Sequence, residues 1–401
     1  MKLDASHTLI LAILVLYAGR YINRSVPWLR RHSIPEPVTG GLVASIALTL
    51  IQVAAGITLT FDLSNRDLLL TVFFTTVGLS ARASMLRAGG ITLIVLTLFA
   101  VTNLVLQNIV GVGLVTVLGL PPAAGLLVGS AALSGGHGTV LAWAPIIADR
   151  FGFTAAPAFG AAAATFGLIA GGVLGGPLGE RLIARYRLNV TDAEALSIGM
   201  PYAQESERRI DADGVLKCLL VIAIAIAASG YLNDFLVTLG VTLPAFVTAL
   251  FMGIVLSNVF PPLLPKLHWP AGTPSLALIS EIALGLFLAM SLMSLNLTTL
   301  ADAALPLLVV LAVQVAVCWG LLSLVVFRLL GRNYDAAVTT GGFFGLALGA
   351  TPTAIAIMTA ITKAHGASPR SFLVVPLVGA FFVDIANAFV LQVFIEWLAR
   401  P

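Results

Sequence analysis

The fold is constrained above all by twelve apolar segments that follow one another along the chain, separated by short charged or proline-rich breaks. A transmembrane helix needs about 20 mostly apolar residues, and most of these segments approach that length. Only 10% of the residues are charged, whereas soluble domains carry roughly 25%. The sequence therefore predicts an all-α polytopic membrane protein. The segments lie near residues 7–23, 38–57, 67–82, 91–118, 122–147, 155–180, 217–237, 243–259, 275–294, 304–328, 336–361 and 371–396.

One long polar stretch divides these segments into two groups of six. We interpret it as a linker, residues 185–216, between an N-terminal half, residues 1–184, and a C-terminal half, residues 217–401. Equal numbers of segments in the two halves indicate an internal duplication, which is common in membrane carriers.

The two halves can be aligned with one constant difference in residue number, here called the repeat offset, and this alignment supports the duplication. It places Ser134 on Leu348 and Thr139 on Thr353. The strings around these positions, residues 125–147 and 339–361, share one pattern: small residues, a polar glycine break, and a second apolar run. The match lies in pattern and spacing and much less in identity.

The basic residues indicate how the halves are oriented. If the segments near 122–147 and 336–361 are re-entrant hairpins, each half crosses the membrane five times. Seventeen of the 21 Lys and Arg residues then lie on one side, which the positive-inside rule assigns to the cytoplasm. Both termini are predicted to be periplasmic and the linker cytoplasmic. Because five is odd, the halves would be two inverted-topology repeats.

Each hairpin is predicted to have a glycine-containing tip, and the first has arms at 122–134 and 139–147 that are each too short to cross the membrane. Half-helices that restart inside the membrane present free N–H groups and the positive end of the helix dipole, which favour anions. In the second tip we predict Thr351 as N-cap and Pro352 as the first helical residue. Close packing of helices through small residues is the alternative explanation. The tip residues are Ser134, Gly135, Gly136, His137, Gly138, Thr139, Gly349, Ala350, Thr351, Pro352 and Thr353.

Ionisable residues inside a span are functional candidates, because burying a charge in a bilayer is costly. Asp384 lies well inside the last segment, with Asn387 on the same helical face. Its role is cation coordination, a hydrogen bond to a substrate amine, or structural pairing with another helix. Glu281 lies nearer the end of its segment, where a snorkelling or capped side chain is the alternative.

Two further polar features each allow two interpretations. His137 either titrates and couples a proton or forms hydrogen bonds that hold its hairpin together. The fourth segment carries a polar stripe at helical spacing, and its members are either interhelical hydrogen-bond partners or ligands. The stripe consists of Asn103, Gln107 and Asn108.

Six motifs of the sequence are IPEPVTGGL (34–42), LSGGHGT (133–139), ATFGL (164–168), NYDAAV (333–338), GATPTAIA (349–356) and FLVVPLVGAFFVDIANA (372–388). Together they closely resemble the bacterial glutamate:sodium symporter family, and the resemblance runs over essentially the whole chain. Two features differ from that family's pattern: Ile357 stands where it usually has Asn, and Gly342-Phe343 where it tends to have a His-Cys pair.

The resemblance implies sodium-coupled uptake of L-glutamate by an inner-membrane carrier that forms a homodimer and works by elevator-like alternating access. It implies that the hairpin tips and Asn387 bind substrate, and that Asp384 with hairpin carbonyls binds sodium as the coupling ion. No other cofactor, no nucleic-acid partner and no enzymatic activity are expected.

Alternatives to this function differ in the coupling ion, the substrate or the class of protein. The first is a proton- or sodium-coupled carrier for another acidic amino acid or dicarboxylate, with His137 or Asp384 as the proton site. An intramembrane enzyme using these two residues as acid and base lacks an obvious nucleophile beside them. A passive channel is a further alternative. Two off-centre hairpins favour alternating access over the continuous pore that a channel needs.

Overall fold

The protein is helical throughout the part of the chain that the computed structural model describes, residues 2–31, 34–56, 59–81, 90–188, 210–238, 243–263, 269–295 and 304–400. Two π-helical stretches, Leu322–Val326 and Val378–Val383, interrupt helices near the C-terminus. Two short strands, β1 (Lys2–Leu3) and β2 (Thr60–Phe61), pair in parallel. The prediction of an all-α fold is confirmed.

The α-helices are numbered in chain order. They are α1 (Ala5–Ser25), α2 (Pro27–Arg31), α3 (Glu36–Ala55), α4 (Ser64–Ser80), α5 (Gly90–Val117), α6 (Ala124–Leu127), α7 (Gly136–Phe151), α8 (Ala156–Tyr186), α9 (Ala212–Thr238), α10 (Ala245–Leu263), α11 (Pro274–Met293), α12 (Ala304–Leu321), α13 (Phe327–Leu329), α14 (Tyr334–Leu348), α15 (Thr351–His365), α16 (Pro369–Leu377) and α17 (Asp384–Leu398). Most of the predicted linker, residues 189–209, lies outside the described residues.

Seven of the described helices are long and apolar enough to cross a membrane. They are α1, α3, α5, α8, α9, α11 and the continuous helix from α12 to α13. An eighth span results if α16 and α17, which meet at a bend of 41°, are counted as one. This confirms a polytopic membrane protein. The other two predicted crossings correspond to α4, with 17 residues, and α10, whose apolar part is Ala245–Pro261. The predicted number of ten crossings stays a prediction.

Contacts between the helices divide them into two bundles. The first bundle contains α1, α3, α4, α9, α10 and α11, and the second contains α5 to α8 and α12 to α17. Each bundle combines helices from both halves of the sequence. Contacts between the bundles are few by comparison, and they involve mainly α7 with α11 and α4 with the π-helical stretch 378–383.

Glycines allow backbones to touch inside each bundle. In the first bundle, a Cβ atom at Gly78 of α4 would lie 2.1 Å from the carbonyl oxygen of Leu250 in α10. In the second, a Cβ atom at Gly167 of α8 would lie 2.4 Å from the carbonyl oxygen of Leu348 in α14. Both distances are too short for any side chain, so these helix pairs require glycine there. Such small-residue contacts are typical of membrane helices.

The boundary between the bundles contains aromatic contacts. Trp143 of α7 meets Phe246 of α10 edge to face, with ring centroids 5.6 Å apart. Phe251 of α10 stacks on Phe389 of α17 at 4.6 Å. Both contacts join apolar ring surfaces of the two bundles.

Candidate functional site

The first glycine break is an irregular stretch, residues 128–135, between α6 and α7. The Gly135 N–H donates to the Ser130 carbonyl at 2.9 Å. These two residues are one position further apart in the chain than the partners of an α-helical hydrogen bond. Gly136 has a φ of 67°, a left-handed conformation that favours glycine. Helix α7 begins at this residue, three residues before the predicted second arm at 139–147, because the left-handed turn already reverses the chain there.

The second glycine break is shorter. Helix α14 ends at Leu348, and α15 begins at Thr351. The predicted N-cap at Thr351 is wrong by one residue, because Ala350 keeps an extended backbone while its carbonyl accepts from the Ala354 N–H at 3.1 Å. Pro352 is accordingly the second helical residue. Ala350 has no side chain that can cap, so the first turn keeps free N–H groups.

The two breaks meet inside the second bundle. The Ser134 hydroxyl lies 2.8 Å from Gln107 Oε1 and 3.1 Å from the carbonyl oxygen of Ala347, just before the second break. The Gln107 amide also donates to that carbonyl at 2.9 Å. A Cβ atom at Gly136 would lie 3.5 Å from the carbonyl oxygen of Gly349. Residues from both predicted tips are therefore neighbours.

His137 forms a hydrogen bond with a neighbouring helix. Its Nε2 atom lies 2.9 Å from the Thr165 hydroxyl of α8. That hydroxyl donates to the Ala161 carbonyl at 2.9 Å, so in its contact with His137 it accepts the hydrogen bond. The bond therefore places the proton on Nε2 and joins the tip to α8. Of the two interpretations of His137, this contact favours a structural hydrogen bond.

Asp384 and Asn387 lie in the first two turns of α17, which follows directly on the π-helical stretch 378–383. Asn387 is fully buried, and its Nδ2 atom donates to the Ser130 carbonyl at 3.0 Å. Asp384 is partly exposed and makes no hydrogen bond or salt bridge with another described residue. Asn387 thus contacts the first break directly, and Asp384 lies one turn before it.

Ser130 is a site candidate that sequence reasoning missed. Its backbone binds two side-chain amides, since its N–H donates to Asn108 Oδ1 at 2.9 Å and its carbonyl accepts from Asn387. These bonds fix the orientation of both amides. Three buried atoms then have no partner among the residues that the structure describes: Ser130 Oγ, Asn108 Nδ2 and Asn387 Oδ1. Buried polar atoms are rarely left unpaired, so this cluster indicates a bound ion or water.

The polar stripe of α5 is buried. Gln107 makes an interhelical hydrogen bond to the Ala347 carbonyl of α14, as one of the two interpretations predicted, whereas Asn108 accepts from the Ser130 N–H in the first break. Sequence reasoning also missed Gln314 of α12, whose Nε2 atom donates to the Gln107 carbonyl at 2.7 Å and to the Val128 carbonyl at 3.2 Å. A glutamine within an apolar run was the available signal. Glu281 is exposed, which agrees with a snorkelling side chain.

The remaining tip residues lie around the same point. A Cβ atom at Gly135 would lie 2.7 Å from Asn387 Nδ2, and one at Gly138 would lie 3.4 Å from the Leu284 side chain, at the bundle boundary. Thr139 and Thr353 are buried, and the Thr353 hydroxyl has no protein partner.

The positions that depart from the family pattern form apolar contacts. The Ile357 side chain would lie 2.5 Å from a Cβ atom at Gly345 and at the same distance from one at Gly175. Gly342 faces Met358. The Phe343 ring meets Phe99 edge to face at 5.6 Å. Hydrocarbon therefore surrounds these positions.

Comparison with known proteins identifies the family. Residues 1–367 match the family described as Sodium/glutamate symporter. The sodium/glutamate symporter of Escherichia coli is 41% identical over 402 aligned residues, covering 98% of both chains. That of Haemophilus influenzae is 38% identical over 389 residues, covering 96% of both. With its several membrane-spanning helices, this multi-pass chain belongs to the sodium/glutamate symporter family.

Proposed function

We propose that this protein is a secondary active transporter that takes up L-glutamate together with sodium across the inner membrane. Curated relatives at 38–41% identity carry the name sodium/glutamate symporter. The meeting of the two glycine breaks beside buried polar atoms without partners is the observation that carries the proposal. Such an arrangement supplies both anion donors and cation ligands.

The two halves are proposed to be inverted-topology repeats, each with a re-entrant hairpin. Helix bounds support this, because the repeat offset moves α7 onto 350–365, where α15 is Thr351–His365. The same offset moves α8 onto 370–400, where α16 and α17 cover Pro369–Leu398. Helices α7 and α15, with 16 and 15 residues, span about 24 Å each, less than the roughly 30 Å hydrocarbon core.

The substrate carboxylates are proposed to bind at the starts of α7 and α15. Neither N-cap residue, Gly135 nor Ala350, supplies a capping side chain, so N–H groups of both first turns can donate to a ligand, except the Gly136 N–H, which donates to the Ala132 carbonyl. The helix dipoles add favourable positive potential at the same ends. A glutamate molecule has two carboxylates, which matches two such helix starts near one point.

Sodium is proposed to bind close by. Hard cations take oxygen ligands, and Asp384 supplies a carboxylate. Asn387, one turn after Asp384, contacts the Ser130 carbonyl, so carbonyls of the irregular stretch 128–135 lie in the same region. The unpaired oxygens of Ser130 and Asn387 belong to the same region. Bound sodium would increase the attraction of the site for an anion, so the two solutes would be coupled.

Alternating access is proposed to occur by movement of the second bundle along the first. All of the tip residues belong to the second bundle, so substrate and sodium would travel with it. The apolar contacts at the boundary are suited to sliding. We further propose a homodimer, since most of α9, like most of α1 and α3, is not buried within one chain. The cytoplasmic linker and periplasmic termini follow from the distribution of basic residues.

Uptake by proteoliposomes tests the proposal. Radiolabelled L-glutamate should accumulate when an inward sodium gradient is applied, and not with an equal potassium gradient. Asp384→Asn should reduce this uptake sharply, because a carboxylate ligand is lost. Equal uptake without sodium would exclude sodium coupling, and uptake driven by a pH gradient in sodium-free buffer would favour proton coupling. Counterflow with L-glutamate, D-glutamate, aspartate and 2-oxoglutarate would define the substrate.

A further inference from the structure

A small cavity lies between the C-terminal end of α8 and the helix formed by α12 and α13. None of the residues that line it belongs to the glycine breaks. Its volume is about 150 Å³. Three arginines surround it, two from α8 and one from α13, although α8 and α13 belong to opposite halves of the sequence. The arginines are Arg181, Arg185 and Arg328.

These arginines have no acidic partner among the described residues. The salt bridges found among the described residues use other basic groups, namely Arg20, Arg66, Arg150, Lys217 and His7. Arg185 makes a cation–π contact with Tyr186, which leaves its guanidinium N–H groups available. Like charges repel, so three unpaired guanidinium groups around one cavity favour an anion between them.

The cavity lies at the level of a membrane interface. Helix α8 has 31 residues, about 46 Å, and is longer than the roughly 30 Å hydrocarbon core, so its last turns extend into the headgroup region. Trp319 and Tyr186 line the cavity, and such aromatic residues are typical of that level. Leu324, which also lines it, is 57% exposed, and the neighbouring Leu329 is 64% exposed. An apolar surface therefore continues from the cavity toward the lipid.

The cluster is not required by the fold. Under the repeat offset, the positions equivalent to Arg181 and Arg185 are Ile395 and Ala399, and the position equivalent to Arg328 is Leu114. Basic residues near helix C-termini stabilise the helix dipole, which accounts for single arginines but not for three around one cavity. The π-helical stretch Leu322–Val326 supplies Ser323 and Leu324 to the lining, and π-helical turns are frequent at functional sites.

We propose that this cavity binds the phosphate headgroup of an anionic phospholipid. Guanidinium groups bind phosphate oxygens through paired hydrogen bonds, and the three arginines supply several such donors around the cavity. The acyl chains would lie along Leu324 and Leu329. Basic pockets between transmembrane helices on the cytoplasmic side bind anionic headgroups in this manner. The bound lipid would join α8 to α13 at one end of the second bundle.

Thermal unfolding of the purified full-length protein in neutral detergent tests this site. Phosphatidylglycerol should raise the unfolding midpoint more than phosphatidylcholine at the same mole fraction. The variant Arg181→Gln, Arg185→Gln, Arg328→Gln should lose most of that difference. Native mass spectrometry should show phosphatidylglycerol affinity falling about fivefold for each arginine removed.

A matched variant separates the site from net charge. Arg24→Gln, Arg187→Gln, Arg332→Gln removes three other exposed arginines that do not line the cavity, and it should keep the lipid difference. Equal loss in both variants, or no loss in the first, would overturn the proposal. Stabilisation of the wild type by inorganic phosphate alone, as large as that by phosphatidylglycerol, would also overturn it. If the triple variant does not fold, Arg328→Gln alone provides the same comparison.

Discussion

The two glycine breaks occupy equivalent positions under the repeat offset, yet their surroundings differ. Directional hydrogen bonds from side-chain amides hold the first break. Gln314 donates to the Val128 carbonyl, Asn108 accepts from the Ser130 N–H, and Asn387 donates to the Ser130 carbonyl. Its chain is irregular over residues 128–135, and the Ser130 carbonyl there accepts from both the Gly135 N–H and the Asn387 amide.

Apolar packing holds the helices on either side of the second break, and the Ala347 carbonyl just before it accepts from Gln107 and Ser134. The chain before it is the regular helix α14, which lies against Met358 and Ile357 of α15 through Gly342 and Gly345. Packing of this kind is less directional than hydrogen bonding and changes gradually with displacement. Side-chain amides thus bind the first break itself, whereas the helices flanking the second are held mainly by apolar packing. Changes at the first break should therefore alter ion binding, and changes in the packing around the second should alter stability and transport rate.

The largest effect is expected for Asn387→Leu. This change removes an unpaired buried oxygen from the proposed sodium site and leaves the Ser130 carbonyl without its amide donor. If the lost ligand contributes about 3 kcal/mol to the free energy of sodium binding, the half-saturating sodium concentration should rise about a hundredfold. Sodium titration of glutamate uptake measures it.

Asn23→Leu is the matched control for this change. Asn23 is also buried, and its amide donates to the Ile34 carbonyl at 2.8 Å in the first bundle. Its replacement should lower the thermal unfolding midpoint and leave the sodium dependence unchanged. A similar sodium shift in both variants would show that loss of stability, not loss of a ligand, causes the effect.

The next effect concerns the contact between α8 and the second break. In Gly167→Ala the new Cβ atom would meet the Leu348 carbonyl at 2.4 Å, so α14 must move. Overpacking of this kind costs about 1–3 kcal/mol of unfolding free energy and should also slow uptake. Gly176→Ala, on the same helix, has no atom within 4 Å of its Cβ atom. It should be neutral or slightly stabilising, and equal losses in thermal stability would disprove the role of the close contact.

Removal of the Ser130 hydroxyl should have a smaller effect. This hydroxyl has no protein partner, so Ser130→Ala should leave thermal stability nearly unchanged while raising half-saturating sodium about fivefold, equivalent to about 1 kcal/mol. Ser45→Ala provides the opposite pattern. The Ser45 hydroxyl donates to the Leu295 carbonyl at 3.0 Å in the first bundle, so stability should fall by about 1 kcal/mol without a sodium effect. An unchanged sodium dependence in Ser130→Ala would assign the unpaired atoms to an ordered water.

The sequence predicted the parts of this contrast that depend on local chemistry. Apolar runs predicted the helices, and glycine and proline predicted both breaks, to within one residue at Thr351 and three at Gly136. Long-range contacts were beyond reach, because nothing in the strings around Gly78 and Leu250 indicates that they touch. Ser130 was missed because a serine among small residues is equally typical of plain helix packing. Its importance depends on amides that lie 22 and 257 residues away in the chain.

The smallest effect is expected for Gly136→Ala, at the point where the two breaks approach each other. The backbone of Gly136 is in the left-handed conformation, so an alanine there should lower the free energy of unfolding by about 1 kcal/mol. Its Cβ atom would lie 3.5 Å from the Gly349 carbonyl oxygen, an ordinary contact that adds no clash. Gly152→Ala carries the same backbone strain at a φ of 68°, with open space around it. The two variants should therefore lose equal thermal stability. Only Gly136→Ala should raise the KM for glutamate, because its methyl group lies at the start of α7, where the carboxylate is proposed to bind. Equal KM values in both variants would move the substrate away from this tip.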